Sequence, residues 1–274
     1  NYNELDEALL LMDKSFKKAI IDCTNSNIKE YIDEVRIPKG FWRYRDPGKW
    51  VADNNNIKSV KTIVSKVGIL QQNLINTACN KIKNGEIKAS LILGGESRFK
   101  ILRSSIENKD YIETPLNTNP DIYEKSPEKL QLDVEEKELG SMAVGYYAIL
   151  ESAFRHMLQN NHDDHHNYLC DVYSGYSEIA ANNKDGWIEQ SIDKEDIKVE
   201  SKKNTRQAFP YNKYHCTSWN VNQACSIIIC SEDVADKLDI PLDKRVYPLA
   251  SSENNHMIST LQRPNLIEPA GMQL

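Results

Sequence analysis

Few stretches of this 274-residue chain carry side chains able to do chemistry. Phe41-Trp42-Arg43-Tyr44-Arg45-Asp46-Pro47-Gly48 interleaves guanidinium groups with aromatic rings. Trp42, Arg43 and Arg45 could grip a phosphate or an adenine through paired hydrogen bonds and stacking. A loop anchor or a dimer contact fits the same residues. His162-Asp163-Asp164-His165-His166 has metal-capable types, with His162 and His166 one helical turn apart. Its flanks, Asn160-Asn161 and Asn167, and its aspartates read instead as a solvated helix start, so no metal site is expected. Glu96, after Gly94-Gly95, is expected to bond a strand end rather than act as an acid. His256, within Asn254-Asn255-His256-Met257, stands among amides and reads as a loop residue.

The elements that must position these groups follow from periodicity. Residues 5–21 place Leu9, Leu10, Met12, Phe16, Ala19 and Ile20 at helical intervals. Residues 34–37 read as a strand stopped by Pro38 and Gly40, and Asp46 to Gly48 as a turn. Residues 59–67 are β-branched and alternating, hence a strand, with a sharp turn at Gly68. Leu70, Leu74, Ile75, Ala78, Cys79 and Ile82 then share one face of a helix over 70–83, closed by Asn84-Gly85. Residues 89–97 form a buried strand ending on two glycines. Strand, turn, helix, strand is a βαβ unit, which makes a parallel sheet and an α/β protein.

Beyond residue 106 the pattern is looser. Residues 107–140 read as a surface excursion, 142–158 and 166–182 as helices, and 185–203 as a charged loop. Residues 224–230 read as a helix or strand, 231–238 as a short helix and 245–250 as a strand. No internal repeat is visible.

Composition limits the function classes. Lys plus Arg is 34 against 40 Asp plus Glu, a net charge of −6, which argues against a nucleic-acid binder. No apolar run reaches the roughly eighteen residues of a membrane helix, so no membrane span is expected. The six cysteines, Cys23, Cys79, Cys170, Cys216, Cys225 and Cys230, include no CxxC pair. Their low density, with no signal-type leader, leads to the expectation of reduced thiols in a cytoplasmic protein. The chain starts on Asn1 with a helical pattern under way, and a piece lacking its first elements is expected.

Asn84-Gly85-Glu86 followed by Gly94-Gly95-Glu96-Ser97 resembles the thiolase superfamily. Residues 210–225, Pro-Tyr-Asn-Lys-Tyr-His-Cys-Thr-Ser-Trp-Asn-Val-Asn-Gln-Ala-Cys, are similar to a segment of sterol-carrier-protein-type thiolases, and residues 173–187 resemble the helix before it, through Ser177, Ala180, Ala181 and Asn182. The 41–48 loop is similar to that of divergent proteins labelled acetyl-CoA acetyltransferase. The resemblance implies a thiolase-like layered fold, an α/β/α first half plus the start of the second half, truncated at one or both ends. It places the first part of the N-terminal domain at 1–106, its loop excursion and helices at 107–204, and the passage into the C-terminal half at 205–274.

The resemblance also implies an acyl-CoA substrate, with coenzyme A entering as part of that substrate and no separate cofactor. A homodimer and a small OB-fold partner protein are further expectations. Thiolase chemistry needs a thiolate at a helix N-terminus, where aligned peptide dipoles lower its pKa, and donors aimed at the thioester oxygen. Counting back from Gly85 puts the nucleophile turn at Gly68, and Ser65 to Gln72 contains no Cys. His215 and Cys216 are the remaining catalytic candidates, although a pocket-shaping role fits the matched segment better. Asn222, with Gln223, lies where thiolases carry Asn-Asp and is a substrate-binding or turn residue. The expected function is a thiolase-like acyltransferase acting on acyl-CoA thioesters. The alternatives are a non-covalent retro-aldolase on 3-hydroxyacyl-CoA, with Tyr44, Tyr146, Tyr147 or Tyr214 as base, or a non-catalytic CoA-thioester-binding scaffold.

Overall fold

Along residues 32–38, Val35 and Ile37 face one side of a strand and Glu34 and Arg36 the other, and all four are buried. A strand buried on both faces belongs at the centre of a sheet. The structure is a computed structural model that describes residues 1–126, 128–254 and 257–268. In chain order its first elements are α1 (Ala8–Asp22), β1 (Ile32–Pro38), α2 (Pro47–Asn54), β2 (Lys61–Ser65), α3 (Gln71–Lys83), β3 (Ala89–Ser97), α4 (Arg98–Ile106) and β4 (Ile122–Glu124). There follow α5 (Asp133–Leu139), α6 (Ala143–Met157), α7 (His162–Ala181), α8 (Lys194–Lys198), β5 (Arg206–Ala208), β6 (Tyr211–Asn212), β7 (Asn222–Cys230) and α9 (Glu232–Lys237).

The chain parts into two compact units, Asn1–Glu128 with Asn220–Met257, and Lys129–Trp219 with the segment from Ile258. The divisions at 106 and 204 follow motif order along the chain; these units follow packing.

The first unit holds a five-stranded sheet in the order β4-β2-β1-β3-β7. The first four strands run parallel and β7 runs antiparallel to β3. The α/β class and the βαβ unit expected from the sequence are therefore present, with β1 lying between β2 and β3. Residues 224–230 resolve as strand, pairing from Ala89↔Cys230 to Ser97↔Asn222. On one face α1 buries Leu9, Met12 and Phe16 in a core with Val35, Ile37, Leu91 and Leu93. On the other lies α3, whose Lys81 Nζ sits 2.7 Å from Glu34 Oε2 of the central strand. The helix closes as its sequence demands: Gly85 N–H bonds Ile82 O and Glu86 N–H bonds Lys81 O, a Schellman pair.

Two local readings need correction. Asp46-Pro47-Gly48 is not a simple turn but the opening of α2, because Asp46 Oδ1 accepts Lys49 N–H at 2.9 Å and Pro47 fits the first helical turn. Residues 245–250 are not a strand: Val246 and Leu249 are 93% and 97% exposed, and no strand pairs with them among the described residues.

The second unit is built from α5 to α8 and the antiparallel β5–β6 hairpin. Ala148, Leu169 and Tyr211 form its small core, with Val144, Tyr173 and Ala208 against it. No helix among the described residues is long and apolar enough to cross a membrane.

Candidate functional site

Ligands of open α/β sheets gather at the carboxyl ends of parallel strands. Here those ends carry Lys39 after β1, Lys66 and Gly68 after β2, Glu96 in β3 and Glu124 in β4. The bend expected at Gly68 is present. Ile69 N–H bonds Lys66 O at 3.1 Å, and Gly68 occupies the third position of that turn with φ +104°. That is where a type II turn demands a positive φ, which explains the glycine. A Cβ at Gly68 would also lie 3.0 Å from Ser126 Cβ. A side chain at this residue would therefore be strained by its φ and crowded by Ser126.

The bend is open in its own unit, with Val67 and Leu70 exposed. A carboxylate already lies by the helix start: Glu253 accepts from Asn73 Nδ2 at 2.8 Å and Asn76 Nδ2 at 2.9 Å. Cys79 is half-buried farther along α3, and burial pushes its thiol up. Asn255 and His256 lie outside the described residues.

Around β1 and β3 the strand ends form a tight polar knot. Phe41 N–H donates to Glu96 Oε1 at 2.6 Å, so Glu96, at the end of β3, is a hydrogen-bonding group that holds the 41–48 loop. Burial nevertheless pushes its carboxyl up, against the opposing pull of that amide and of Arg98. Burial likewise pushes the Lys39 ammonium down, opposed by Glu96 and Glu113. Lys39 Nζ donates to Gly40 O at 2.9 Å and lies 3.9 Å from the Trp42 ring centre.

The 41–48 loop splits its candidates by alternation. Trp42 and Tyr44 turn inward, stacked with ring centres 5.4 Å apart, while Phe41, Arg43 and Arg45 face solvent. Trp42 donates from Nε1 to Gly95 O at 3.1 Å and is 3% exposed, so it anchors the loop and cannot stack on an adenine from outside. Tyr44 donates to Glu7 Oε2 at 2.7 Å, and burial together with Glu7 pushes its phenol up. It is poorly suited to act as a base. Arg43 and Arg45 share the exposed side of the loop; Arg45 Nη1 donates to Asn119 Oδ1 at 3.4 Å and to Asn117 O at 3.5 Å. Asn222 takes a structural task here: its Oδ1 accepts Lys100 N–H at 3.2 Å in the first turn of α4.

The second unit brings together residues the sequence keeps apart. Asn161 caps α7 through Asp164 N–H at 2.9 Å, and His162, Asp163 and Asp164 are exposed, as a solvated helix start requires. His165 departs from that reading. It is buried, with Nε2 2.6 Å from Glu151 Oε1, and Tyr211 donates to the other oxygen of Glu151. One residue on, His166 tilts against His215, ring centres 5.8 Å apart. His215 Nε2 lies 3.7 Å from Cys170 Sγ, and its Nδ1 accepts Asn212 N–H at 3.1 Å. Burial, helped by the neighbouring His166, pushes His215 down to about 4. Cys216, its sequence neighbour, points elsewhere, to Asn212 O at 3.6 Å, and burial pushes its thiol up.

Among the described residues, His166, Cys170 and His215 are the group whose donor atoms could hold a metal ion. His162, one turn before His166, is exposed and stands outside this group. His166 and Cys170 stand at i, i+4, a spacing legible beforehand, but His215 arrives only through the fold.

No family model matches the chain, and no curated protein matches it. Solved structures do. A monomeric SCP2-thiolase like protein type 1 from Mycobacterium smegmatis superposes with a TM-score of 0.68 at 20% identity, over 88% of this chain and 46% of that one. An Ltp2-ChsH2(DUF35) aldolase superposes with a TM-score of 0.65 at 14% identity, over 99% of this chain and 63% of that one. The fold is thiolase-like, and the chain spans about half to two-thirds of the length of these two structures.

Proposed function

We propose that this chain is part of a thiolase-like protein that handles a CoA thioester without a covalent acyl-enzyme. The observation that carries the reading is the Lys66–Ile69 turn, which holds a glycine at φ +104° at the place where the thiolase resemblance leads to the expectation of a thiol. A thiolase-type acyltransferase needs an acceptor atom for the acyl group at that turn. What the turn keeps is the amino end of α3, whose first amides and dipole favour charge developing on a thioester oxygen. Exposed Arg43 and Arg45 are the proposed grip for the CoA phosphates.

The reaction that suits these parts is retro-aldol cleavage of a 3-hydroxyacyl-CoA. A base takes the 3-hydroxyl proton, the C2–C3 bond breaks, and its electron pair moves onto the thioester as an enolate. Protonation at C2 releases the shortened acyl-CoA, and C3 leaves as a carbonyl compound. The aldolase among the structural neighbours supports this choice over acyl transfer as a guide to reaction class. That neighbour is by its name a two-component assembly, and a small partner protein is part of the reading for this chain. A non-catalytic thioester-binding scaffold is the second reading, favoured by the same missing thiol.

The test offers acetyl-CoA, a 3-oxoacyl-CoA and a 3-hydroxyacyl-CoA to the full-length protein and follows each by chromatography. Cleavage of the 3-hydroxyacyl-CoA alone is expected. Binding of all three without turnover identifies the scaffold. An acyl group found on a cysteine by mass spectrometry overturns the non-covalent reading.

A further inference from the structure

We infer that His166, Cys170 and His215 form a zinc site in the second unit, independent of the thioester reading above. His166 and Cys170 stand one turn apart on α7, and the short 3-10 turn Lys213–His215 after β6 carries the third ligand to them. One donor atom from each lies within 4.8 Å of the other two. A tetrahedral zinc with nitrogen at about 2.0–2.1 Å and sulfur at about 2.3 Å sets those two ligand atoms roughly 3.6 Å apart. Cys170 Sγ and His215 Nε2 are already 3.7 Å apart.

A second, independent observation points the same way. His166 Nε2 is buried with no hydrogen-bond partner among the described residues. Buried polar atoms left unpaired are uncommon and call for an occupant. A cation bonded to that nitrogen would satisfy it. Two imidazoles and a thiolate suit zinc, whereas magnesium and calcium take oxygen ligands. The fourth position is left to water or another small donor.

One proton stands where the ion would bind. Because His215 Nδ1 accepts the Asn212 amide, the neutral ring carries its proton on Nε2, aimed at Cys170 Sγ. Binding requires that proton to pass to Nδ1, freeing the Nε2 lone pair, while Cys170 loses its S–H proton to solvent. One proton is released for each ion bound. The Asn212 amide bond to Nδ1 is lost, and the new Nδ1–H needs an acceptor. Asn212 Oδ1, buried without a partner among the described residues, is the acceptor we assign to it. One neutral hydrogen bond is exchanged for three metal–ligand bonds, so the exchange favours the ion.

The experiment uses the full chain. Zinc content is measured after purification in chelator-free buffer, and the chelated protein is then titrated with Co2+. Near-stoichiometric zinc and a thiolate-to-cobalt charge-transfer band are expected. Cys170→Ser should abolish the band. His166→Gln, at a partly exposed ring that leaves the helix fold intact by circular dichroism, should weaken Co2+ binding by at least about 100-fold, beyond what losing an outer-shell partner costs. A folded wild-type chain that shows no charge-transfer band at saturating Co2+ overturns the site. So does a His166→Gln variant with unchanged affinity, which would place the metal on other residues.

Discussion

Glu34→Gln is the most informative single change in the sheet unit. Glu34 is 1% exposed; its Oε1 lies 2.6 Å from Arg36 Nε and its Oε2 lies 2.7 Å from Lys81 Nζ. Ser90 Oγ donates to the same carboxylate at 3.2 Å. Glutamine keeps the volume but removes the charge, and its amide must face one of the two cations. Arg36, 3% exposed, would then keep only Glu124 at 3.4 Å as a carboxylate partner among the described residues. Breaking a buried ion pair from one side costs about 3–5 kcal/mol. For a unit of this size that corresponds to a fall in Tm of roughly 6–20 °C.

The acid limb gives the sign. Burial alone would raise the Glu34 carboxyl, but hydrogen bonds from Arg36 and Lys81 outweigh it and hold it below its ordinary 4.5. Protons therefore bind the unfolded chain more tightly. The stability Glu34 supplies is complete above the unfolded value and lost as pH falls through the lower folded one. Thermal unfolding by circular dichroism at pH 7 and between pH 3 and about 5 reads both effects. The variant should be less stable at neutral pH and show a flatter acid limb. A loss below about 1 kcal/mol at pH 7, or an acid limb identical to wild type, would refute the reasoning.

Three further outcomes follow from the site. Gly68→Cys should lose about 1–3 kcal/mol through its positive φ, and should yield no acyl adduct by intact-mass spectrometry after acetyl-CoA. Trp42→Ala should destabilise the first unit by about 3–5 kcal/mol in urea unfolding, as a buried anchor does. Arg45→Ala, at an exposed position, should leave stability within about 0.5 kcal/mol while weakening CoA binding and flattening its salt dependence in calorimetry.

Local signals in the chain were enough for the part of the fold that is built locally. The β-branched run at 59–67, the apolar face of 70–83 and the Asn84-Gly85 stop specify strand, helix and cap through near-neighbour physics, so β2, α3 and β3 were legible. The missing thiol near Gly68 was legible too, since it is a matter of residue identity. Whether 224–230 would be helix or strand was not, because that choice depended on the free edge of β3, contributed from more than a hundred residues away.

The same distance separates what was seen of the candidate sites from what was not. Alternation in the 41–48 loop sets Trp42 and Tyr44 on one side and Arg43 and Arg45 on the other, but only packing against Gly95 and Glu7 settles which side points inward. His166 and Cys170 are neighbours by helical geometry alone. His215 joins them because the β5–β6 hairpin and the turn after it fold back onto α7, and no periodicity in the chain encodes that return. Short-range conformational preference acts within a few residues, whereas a cluster of donors drawn from separate elements exists only once tertiary packing has closed the intervening chain.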